Sequence, residues 1–463
     1  MTGAIDLTRH RHRDRHLTQR SGHALGLAQR KAAPYAQVFA LQPRPPEFEL
    51  MQAFARDNQG RLAALVPERI ARMRASPFRF FRGWPRLMAE DLMREADSGL
   101  VSQVCGDCHL LNFGAFGSPE RHLLFGLNDF DESVRGPFEW DLKRLASSAV
   151  IAAGQLQLAP RQSEAVVEQV LCGYLARLRD MLDDTPLDSW YDREDVPTML
   201  AHIKPDSVRA ERARQFDLSQ AKSPDKLIRK LTERPKKNAP LQFIEQFPDS
   251  FHPPAGDPLA DRWAEFFGHY RLTLAADRQV LLDRYQLSDV ALRVVGIGSV
   301  GTRCAMAIFE DGDHEPLLLQ IKQARPSIYA GRVAERFAHQ GQRVVAGQQL
   351  LQAASDIFLG YATAQDGSEY YVRQLRDLKI TLDLEELDQD GLLAYAYSCG
   401  RALGHAHGKA SHVPTLLGYL GAESALRQAL CRYATAQAAR TVADHQQFLQ
   451  ALDSGQLDPV GQP

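Results

Sequence analysis

The sequence has no long hydrophobic run, few cysteines for its length and almost no net charge. The most apolar stretch, around residues 145–154, is interrupted by Ser147 and Ser148, so it falls short of the roughly 18 to 20 apolar residues of a membrane helix. Six cysteines in 463 residues do not make a disulfide scaffold, and a net charge of −2 argues against extensive nucleic-acid binding. We therefore expect a cytoplasmic protein with no membrane or nucleic-acid partner.

The first 35 residues are rich in arginine and histidine, and no apolar segment follows as in a secretory signal. We expect residues 1–40 to be a basic disordered tail.

Acids, amides and glycines are concentrated between residues 104 and 145. Asp107 and Asn112 lie five residues apart, and Asp129 follows 17 residues later, beyond an apolar run at residues 123–127 that predicts a strand. Two short strands around a loop would bring these three side chains together. Phosphoryl transfer from a nucleotide needs such a set: one carboxylate orients the acceptor hydroxyl, while an amide and a second carboxylate hold magnesium.

Three motifs in this stretch resemble those of aminoglycoside phosphotransferases and choline-kinase-like enzymes. Residues 106–112, GDCHLLN, resemble the G-D-x-H-x-x-N catalytic loop, and Asp129 with the following phenylalanine resembles the metal-binding Asp-aromatic pair. Gly136-Pro137 and Asp141-Leu142 resemble the segment that buttresses the loop.

The resemblance implies a role for each residue. Asp107 would orient the acceptor, and Asn112 and Asp129 would hold Mg²⁺. His109 would brace the catalytic loop rather than transfer protons. Asp131, with the following glutamate, would either bind a second metal ion or turn the chain.

Three other interpretations of this stretch remain open. Cys105, Cys108 and His109 spell the C-x-x-C-H of covalent haem attachment, and the two cysteines alone could be a thiol–disulfide pair. The third is a metal-dependent phosphohydrolase, whose metals would be bound by carboxylates and imidazole. Its ligands would be Asp107, His109, Asp129 and Asp131.

A second informative stretch runs from residue 290 to residue 322. A strand at 290–295 is followed by GIGSVG and then by further strands at 304–310 and 317–322. A dinucleotide site would need a helix directly after the glycines, whereas a strand follows here and Lys322 ends the next one. This order is typical of the glycine flap and phosphate-pairing lysine of kinases. The flap residues expected at the nucleotide are Gly296, Gly298, Ser299 and Gly301.

Kinase-like proteins also pair the lysine with an acid on a helix. The pattern predicts a helix over residues 329–354, and Glu335 is its candidate acid. Residues 371–377 would then form the hinge that contacts adenine, and residues 397–409 resemble the helix that leads into the catalytic loop.

These elements follow a different order from that of kinase-like enzymes, because the catalytic and metal loops come first. Cutting a circle between the 397–409 helix and the catalytic loop reproduces the order. We therefore expect an α+β, protein-kinase-like bilobal fold that is circularly permuted. Residues 41–285 would form a helical lobe with both loops, 286–380 a β-rich nucleotide-binding lobe, and 381–463 helices that complete the first lobe.

A closer resemblance covers residues from about 40 to 445. The strings SPFRFFRG, GDCHLLNFG, NDFDE and GPFEWDLKRLA resemble a bacterial family known only as a domain of unknown function. Arg82, in the first of these strings, would either pair with a neighbouring group of the protein or contact phosphate.

The favoured function is an ATP- and Mg²⁺-dependent phosphotransferase with a small-molecule or protein acceptor. Adenylyl transfer at the same site, a catalytically silent nucleotide-binding regulator and the metal-dependent phosphohydrolase are the alternatives.

Overall fold

The computed structural model describes residues 17–202, 206–215, 224–236, 239–247, 249–252, 262–293, 298, 300–334, 336–375 and 384–457. They form a mixed α+β structure, which confirms the predicted class at that level. The helices are α1 (Gln19–Ala32), α2 (Tyr35–Val38), α3 (Leu50–Asn58), α4 (Val66–Arg74), α5 (Pro77–Gly83), α6 (Pro85–Arg94), α7 (Glu139–Gln155), α8 (Pro160–Asp180), α9 (Pro186–Tyr191), α10 (Val196–Ala201), α11 (Asp206–Gln215), α12 (Pro224–Leu231), α13 (Trp263–Leu272), α14 (Ala276–Leu282), α15 (Gln340–Leu351), α16 (Gln389–Ala410), α17 (Val413–Leu420) and α18 (Glu423–Asp453). The strands are β1 (Val101–Val104), β2 (Phe113–Gly117), β3 (Leu123–Leu127), β4 (Val134–Pro137), β5 (Thr232–Glu233), β6 (Gln242–Phe243), β7 (Ser250–Phe251), β8 (Gln286–Arg293), β9 (Cys304–Glu310), β10 (Pro316–Gln323), β11 (Gly360–Thr363) and β12 (Glu369–Gln374).

The helical part is built around α7, α8 and α16. Helices α8 and α16 touch through glycines: a Cβ at Gly173 would lie 2.1 Å from the carbonyl oxygen of Tyr397, and one at Gly400 would lie 2.1 Å from that of Val170. Any side chain at these positions would push the helices apart. The close contact fixes α16 beside α8. Among the described residues, no helix combines the length and hydrophobicity that crossing a bilayer requires.

The N-terminal helix α1 packs against α17, also through glycines. A Cβ at Gly26 would lie 2.1 Å from the carbonyl oxygen of Thr415, and one at Gly418 would lie 2.3 Å from that of His23. From residue 19 onward, the structure therefore differs from the expected disordered tail. The arginine- and histidine-rich residues 1–16 lie outside the described residues.

Two short antiparallel strand pairs carry the predicted site loops. Strand β2 pairs with β3 so that Phe113 lies opposite Leu127, which places Asn112 beside Asn128 and Asp129. Strand β1 pairs with β4 so that Val104 lies opposite Val134. The strand predicted at residues 123–127 is confirmed.

A six-stranded antiparallel sheet with the order β11-β12-β10-β9-β8-β7 forms the β-rich part. Because side chains alternate along a strand, Leu319 and Ile321 of β10 enter the hydrophobic core of the sheet. Gln320 and Lys322 point to the opposite face, which lines a cavity.

The helix predicted at residues 329–354 begins only at Gln340. The preceding segment instead lies across the catalytic loop: the Tyr329 ring stacks on Trp140 with centroids 4.5 Å apart, and its hydroxyl donates to the carbonyl oxygen of Gly106 at 2.9 Å. These contacts to residues distant in sequence override the local helical pattern.

Candidate functional site

A cavity of about 330 Å³ lies between the loop that joins β1 to β2, the loop that joins β3 to β4, the end of α5 and one face of the sheet. The predicted site residues that line it are Asp107, His109, Asn112, Asp129, Asp131, Gly298 and Lys322. The two informative stretches therefore face one space, although Asp129 and Lys322 are 193 residues apart in sequence. Gly301 lies beside Arg61 near this space, and Gly296, Ser299 and Glu335 lie outside the described residues.

The catalytic loop is held by Asp141, in the first turn of α7. Its two carboxylate oxygens accept the backbone N–H groups of Cys105 at 2.8 Å and Gly106 at 3.0 Å. Gly106 has φ +86°, and a Cβ there would lie 2.5 Å from the carbonyl oxygen of Glu132. Only glycine fits this conformation and this close approach, so the turn places Asp107 at the cavity.

Asp107 is paired with Arg144, one helical turn beyond Asp141. The guanidinium Nε donates to a carboxylate oxygen of Asp107 at 2.7 Å, and the guanidinium lies 4.1 Å from the centroid of the Phe81 ring. Burial raises the pKa of Asp107, and the charge of Arg144 opposes the rise. A carboxylate with a raised pKa is a stronger base, and 22% of the Asp107 side chain remains exposed to the cavity.

His109 lies next to Asp107 but is buried and neutral. Its Nε2 is 3.9 Å from the carboxylate of Asp107. Burial, followed by the charges of Arg82 and Arg144, lowers the pKa of His109 well below its usual range. Its ring packs edge-on against Phe78, with centroids 6.4 Å apart. These contacts favour the bracing role.

Asn112 ties the catalytic loop to the predicted metal loop. Its amide nitrogen donates to the carbonyl oxygens of Asp107 at 3.0 Å and Asp129 at 3.2 Å. Its amide oxygen accepts the backbone N–H groups of Asp129 at 2.8 Å and Asn128 at 3.3 Å. Asn112 braces both loops in this structure, and the expected metal-ligand role would require one of these bonds to open.

Lys322 reaches the predicted metal loop from the sheet. Its Nζ lies 2.6 Å from a carboxylate oxygen of Asp131 and 3.5 Å from one of Asp129. The Tyr371 hydroxyl donates to the other oxygen of Asp131 at 2.6 Å. Burial alone would lower the pKa of Lys322, but the two carboxylates outweigh burial and raise it well above its usual range. The lysine is therefore charged.

The carboxylate bonded to Lys322 is thus Asp131, whereas the predicted partner Glu335 lies outside the described residues. Helix α15 carries no carboxylate. It contributes Arg343, whose guanidinium donates to the carbonyl oxygens of Ser133 and Asp131, both at 2.8 Å. The helix therefore braces the metal loop through an arginine, which local sequence did not indicate.

The glycine segment is bonded to the helical part. The backbone N–H of Leu62 donates to the carbonyl oxygen of Gly301 at 2.7 Å. Arg61 donates to the carbonyl oxygens of Gly298 at 2.9 Å and Val300 at 2.6 Å. Gly301 has φ +88°, and a Cβ there would lie 2.9 Å from the Cβ of Arg61. These bonds hold the segment at the edge of the cavity.

The functional candidates that the sequence did not reveal are mostly arginines. Arg144 was detectable, since a charge within the apolar face of a helix needs a partner. Arg61 and Arg373 carried no such signal. Arg373 donates to the carbonyl oxygen of Asn128 at 3.2 Å and to the side-chain oxygen of Gln320 at 3.0 Å.

A transition-metal site is disfavoured by the side-chain geometry. Within the described ranges, the one group of three or more metal-ligating side chains is Cys105, Cys108 and Asp141, and all three are buried. Burial raises the pKa of both thiols, that of Cys108 to about 11, and Asp141 is engaged by backbone N–H groups. The thiols are also free and inaccessible, which disfavours haem attachment and disulfide exchange.

The oxygen donors in the cavity suit Mg²⁺ better. Asp129 and Asp131 present carboxylates toward the same lysine, and 46% of the Asp129 side chain is exposed. Magnesium is bound in proteins by one or two carboxylates, with water and phosphate completing its shell. The residues present therefore fit this ion.

No curated protein and no solved structure matches this chain. One family model matches residues 61–451, which cover most of the sequence and include both halves of the cavity. The chain therefore belongs to DUF2252, a family of uncharacterised proteins conserved in bacteria.

Proposed function

We propose that this protein is an ATP- and Mg²⁺-dependent phosphotransferase with a circularly permuted, kinase-like bilobal fold. One observation carries the proposal: Lys322 of the sheet lies 2.6 Å from Asp131 and 3.5 Å from Asp129, in the cavity that also contains Asp107. A phosphate-pairing lysine, two carboxylates suited to magnesium and a candidate base are the parts that phosphoryl transfer requires.

The sheet topology supports the kinase-like interpretation. Strands β8, β9 and β10 form an antiparallel meander, with the glycine segment between β8 and β9 and Lys322 near the end of β10. Helix α15 and strands β11 and β12 follow, in the order that kinases place after the lysine. A Rossmann unit, by contrast, would need a helix after the glycines and a parallel sheet.

Contacts between α16 and α7 support the permutation. The Nε2 of His407, on α16, lies 3.3 Å from the carboxylate of Asp141, which holds the catalytic loop. The helix expected to lead into the catalytic loop is therefore in contact with the residue that holds it, although the chain reaches this helix only after the loop and the sheet. Permutation leaves such a packed core unchanged.

The chain's residues suggest the following reaction. Asp107 accepts the proton of the acceptor hydroxyl. As this proton leaves, the hydroxyl oxygen of the acceptor attacks the terminal phosphorus of ATP. An O–P bond forms, and the bond from phosphorus to the bridging oxygen breaks, leaving its electron pair on ADP. Lys322 would exchange its contact with Asp131 for one with the phosphates. Asp129 and Asp131 would hold the Mg²⁺, which would neutralise phosphate charge.

Isothermal titration calorimetry with ATP, with and without Mg²⁺, tests this proposal. We expect magnesium-dependent binding to the wild type and at least about tenfold weaker binding to Asp129→Ala and Lys322→Ala, since each loses a charged contact to phosphate or metal. Lys31→Ala, at an exposed lysine, is the matched control. If the wild type binds no nucleotide in either condition, the proposal is wrong.

The products separate the remaining alternatives. ADP indicates phosphoryl transfer, and pyrophosphate indicates adenylyl transfer. Binding without turnover, together with an unchanged phenotype for Asp107→Asn, would indicate a silent regulator. Phosphoester hydrolysis without ATP would indicate the metal-dependent phosphohydrolase.

A further inference from the structure

Arg82 is a cation that lines the cavity and makes no ion pair with another described residue. It lies in the last turn of α5, and no hydrogen bond or ion pair joins its guanidinium to another described side chain. Its Nε is buried without a hydrogen-bond partner. A buried donor without a partner is costly, so an arginine in this state within a cavity is expected where a ligand completes its bonds.

The surroundings of Arg82 indicate the chemistry of that ligand. The acidic side chains whose charges act on Arg82 are Asp107 and Asp129. Each has a closer basic partner, since Asp107 is paired with Arg144 and Asp129 lies 3.5 Å from Lys322. Arg82 is therefore not the counter-ion of the catalytic carboxylate.

Gly298 of the glycine segment lies directly beside this position. A Cβ at Gly298 would lie 3.1 Å from the carbonyl oxygen of Arg82. The adjacent residue, Phe81, is fixed by Arg144, which donates to its carbonyl oxygen at 3.1 Å. The backbone of Arg82 is thus held between the segment expected to cover phosphates and the catalytic loop.

We propose that Arg82 binds the terminal phosphoryl group of the nucleotide and keeps this contact while the group passes to the acceptor. The inference rests on the proposed phosphotransfer and adds an anion subsite to it, formed by an arginine that lies outside the loop and glycine motifs resembling those of kinases. A guanidinium presents two parallel N–H donors that match two phosphate oxygens. It would oppose the negative charge that spreads over the phosphoryl oxygens.

The test compares a triphosphate with a diphosphate. The affinities of Mg²⁺ with AMP-PNP, a non-hydrolysable ATP analogue, and of Mg²⁺ with ADP are measured for the wild type and for Arg82→Gln, Arg82→Lys and Arg79→Gln. Arg79 lies on the same helix but is exposed, so its variant makes the same charge change outside the cavity. All variants are first compared by thermal melting.

We expect Arg82→Gln to weaken AMP-PNP binding about 10- to 100-fold, the loss of a charge-assisted hydrogen bond, and to leave ADP binding unchanged. Arg82→Lys should lose part of the preference for AMP-PNP over ADP, because lysine keeps the charge but lacks the two parallel N–H donors. Arg79→Gln should keep the whole preference. If Arg82→Gln does not fold, Arg82→Lys decides by the same comparison.

Equal losses for both nucleotides would indicate a structural role and overturn the inference, as would an unchanged preference for AMP-PNP. If the wild type binds neither nucleotide, the proposed function fails and this inference fails with it. If the wild type binds both and the Arg82 variants keep its preference, only this inference fails.

Discussion

Buried carboxylates near the catalytic loop differ in how their charge is stabilised. Asp107 has an arginine in direct contact. Glu139, two residues before Asp141, is fully buried and accepts hydrogen bonds from the backbone N–H and the hydroxyl of Ser98 at 2.5 Å and 2.8 Å. Burial raises the pKa of Glu139 from 4.5 to about 7, although Lys143 and Ser98 oppose the rise. The folded protein therefore favours the protonated form of Glu139 more strongly than the unfolded chain does.

This pKa predicts a change in the pH dependence of stability for Glu139→Gln. The folded protein binds more protons at this site than the unfolded chain between pH 4.5 and about 7. The contribution of Glu139 is therefore fully present below pH 4.5 and is lost as the pH rises through about 7, with a slope of at most about 1.4 kcal/mol per pH unit. Glutamine resembles the protonated acid, so the variant should lose this slope.

Urea unfolding of the wild type and Glu139→Gln at several pH values between 4.5 and 8 measures the difference. Glu47→Gln, at an exposed glutamate, is the control and should follow the wild type. A Glu139→Gln curve parallel to that of the wild type would show that Glu139 does not titrate in this window.

At the scale of elements, the glycine segment and α15 act through backbone contacts. Arg61 and Leu62 bond the carbonyl oxygens of the segment, while Arg343 of α15 bonds those of the metal loop. Both contacts are made to backbone carbonyl oxygens, so they do not depend on which side chains the loops carry. The glycines are the exception, because they permit the backbone conformation.

Gly301→Ala should therefore destabilise the protein and weaken nucleotide binding. At φ +88° an alanine costs about 1–2 kcal/mol, and its Cβ would lie 2.9 Å from that of Arg61. Gly312→Ala is the matched control, since a Cβ there meets nothing within 4 Å, and it should change the free energy of unfolding by less than about 0.5 kcal/mol. Urea unfolding and ATP calorimetry provide the measurements, and equal effects of the two substitutions would contradict the prediction.

At the scale of the whole molecule, the cavity depends on a charge pair between segments far apart in sequence. Asp131 and Lys322 are separated by 191 residues. Because Lys322 is only 4% exposed and Asp131 26%, removing one partner leaves a poorly solvated charge. The pair therefore couples the sheet to the helical part of the fold.

A double-mutant cycle with Asp131→Asn and Lys322→Met measures this coupling. We expect the two substitutions together to cost less than the sum of the single costs, with an interaction energy of about 1–3 kcal/mol. The exposed pair Arg271 and Asp283, changed to Met and Asn, is the control and should give less than about 1 kcal/mol. Additive costs for Asp131 and Lys322 would show that the pair does not couple the two parts.

The mixed α+β class and the family could be read from the residues alone, and so could the positions of several elements. Strand β3 begins and ends where its apolar run predicts, and β9 matches residues 304–310, because alternation and turn residues act locally. The motifs also marked the side chains that line the cavity, since acids, amides and a lysine beside apolar runs are costly without a purpose.

The pairing of the charges could be seen only once the chain was folded. The tertiary structure paired Lys322 with Asp131 and shortened the helix expected to carry the acid partner. In the folded protein Asn112 also braces two loops, and Arg82 lines the cavity without an ion pair to another described residue. Local periodicity carries no information about these choices, because each depends on groups brought together from distant parts of the chain, where burial and hydrogen bonding set the free energy.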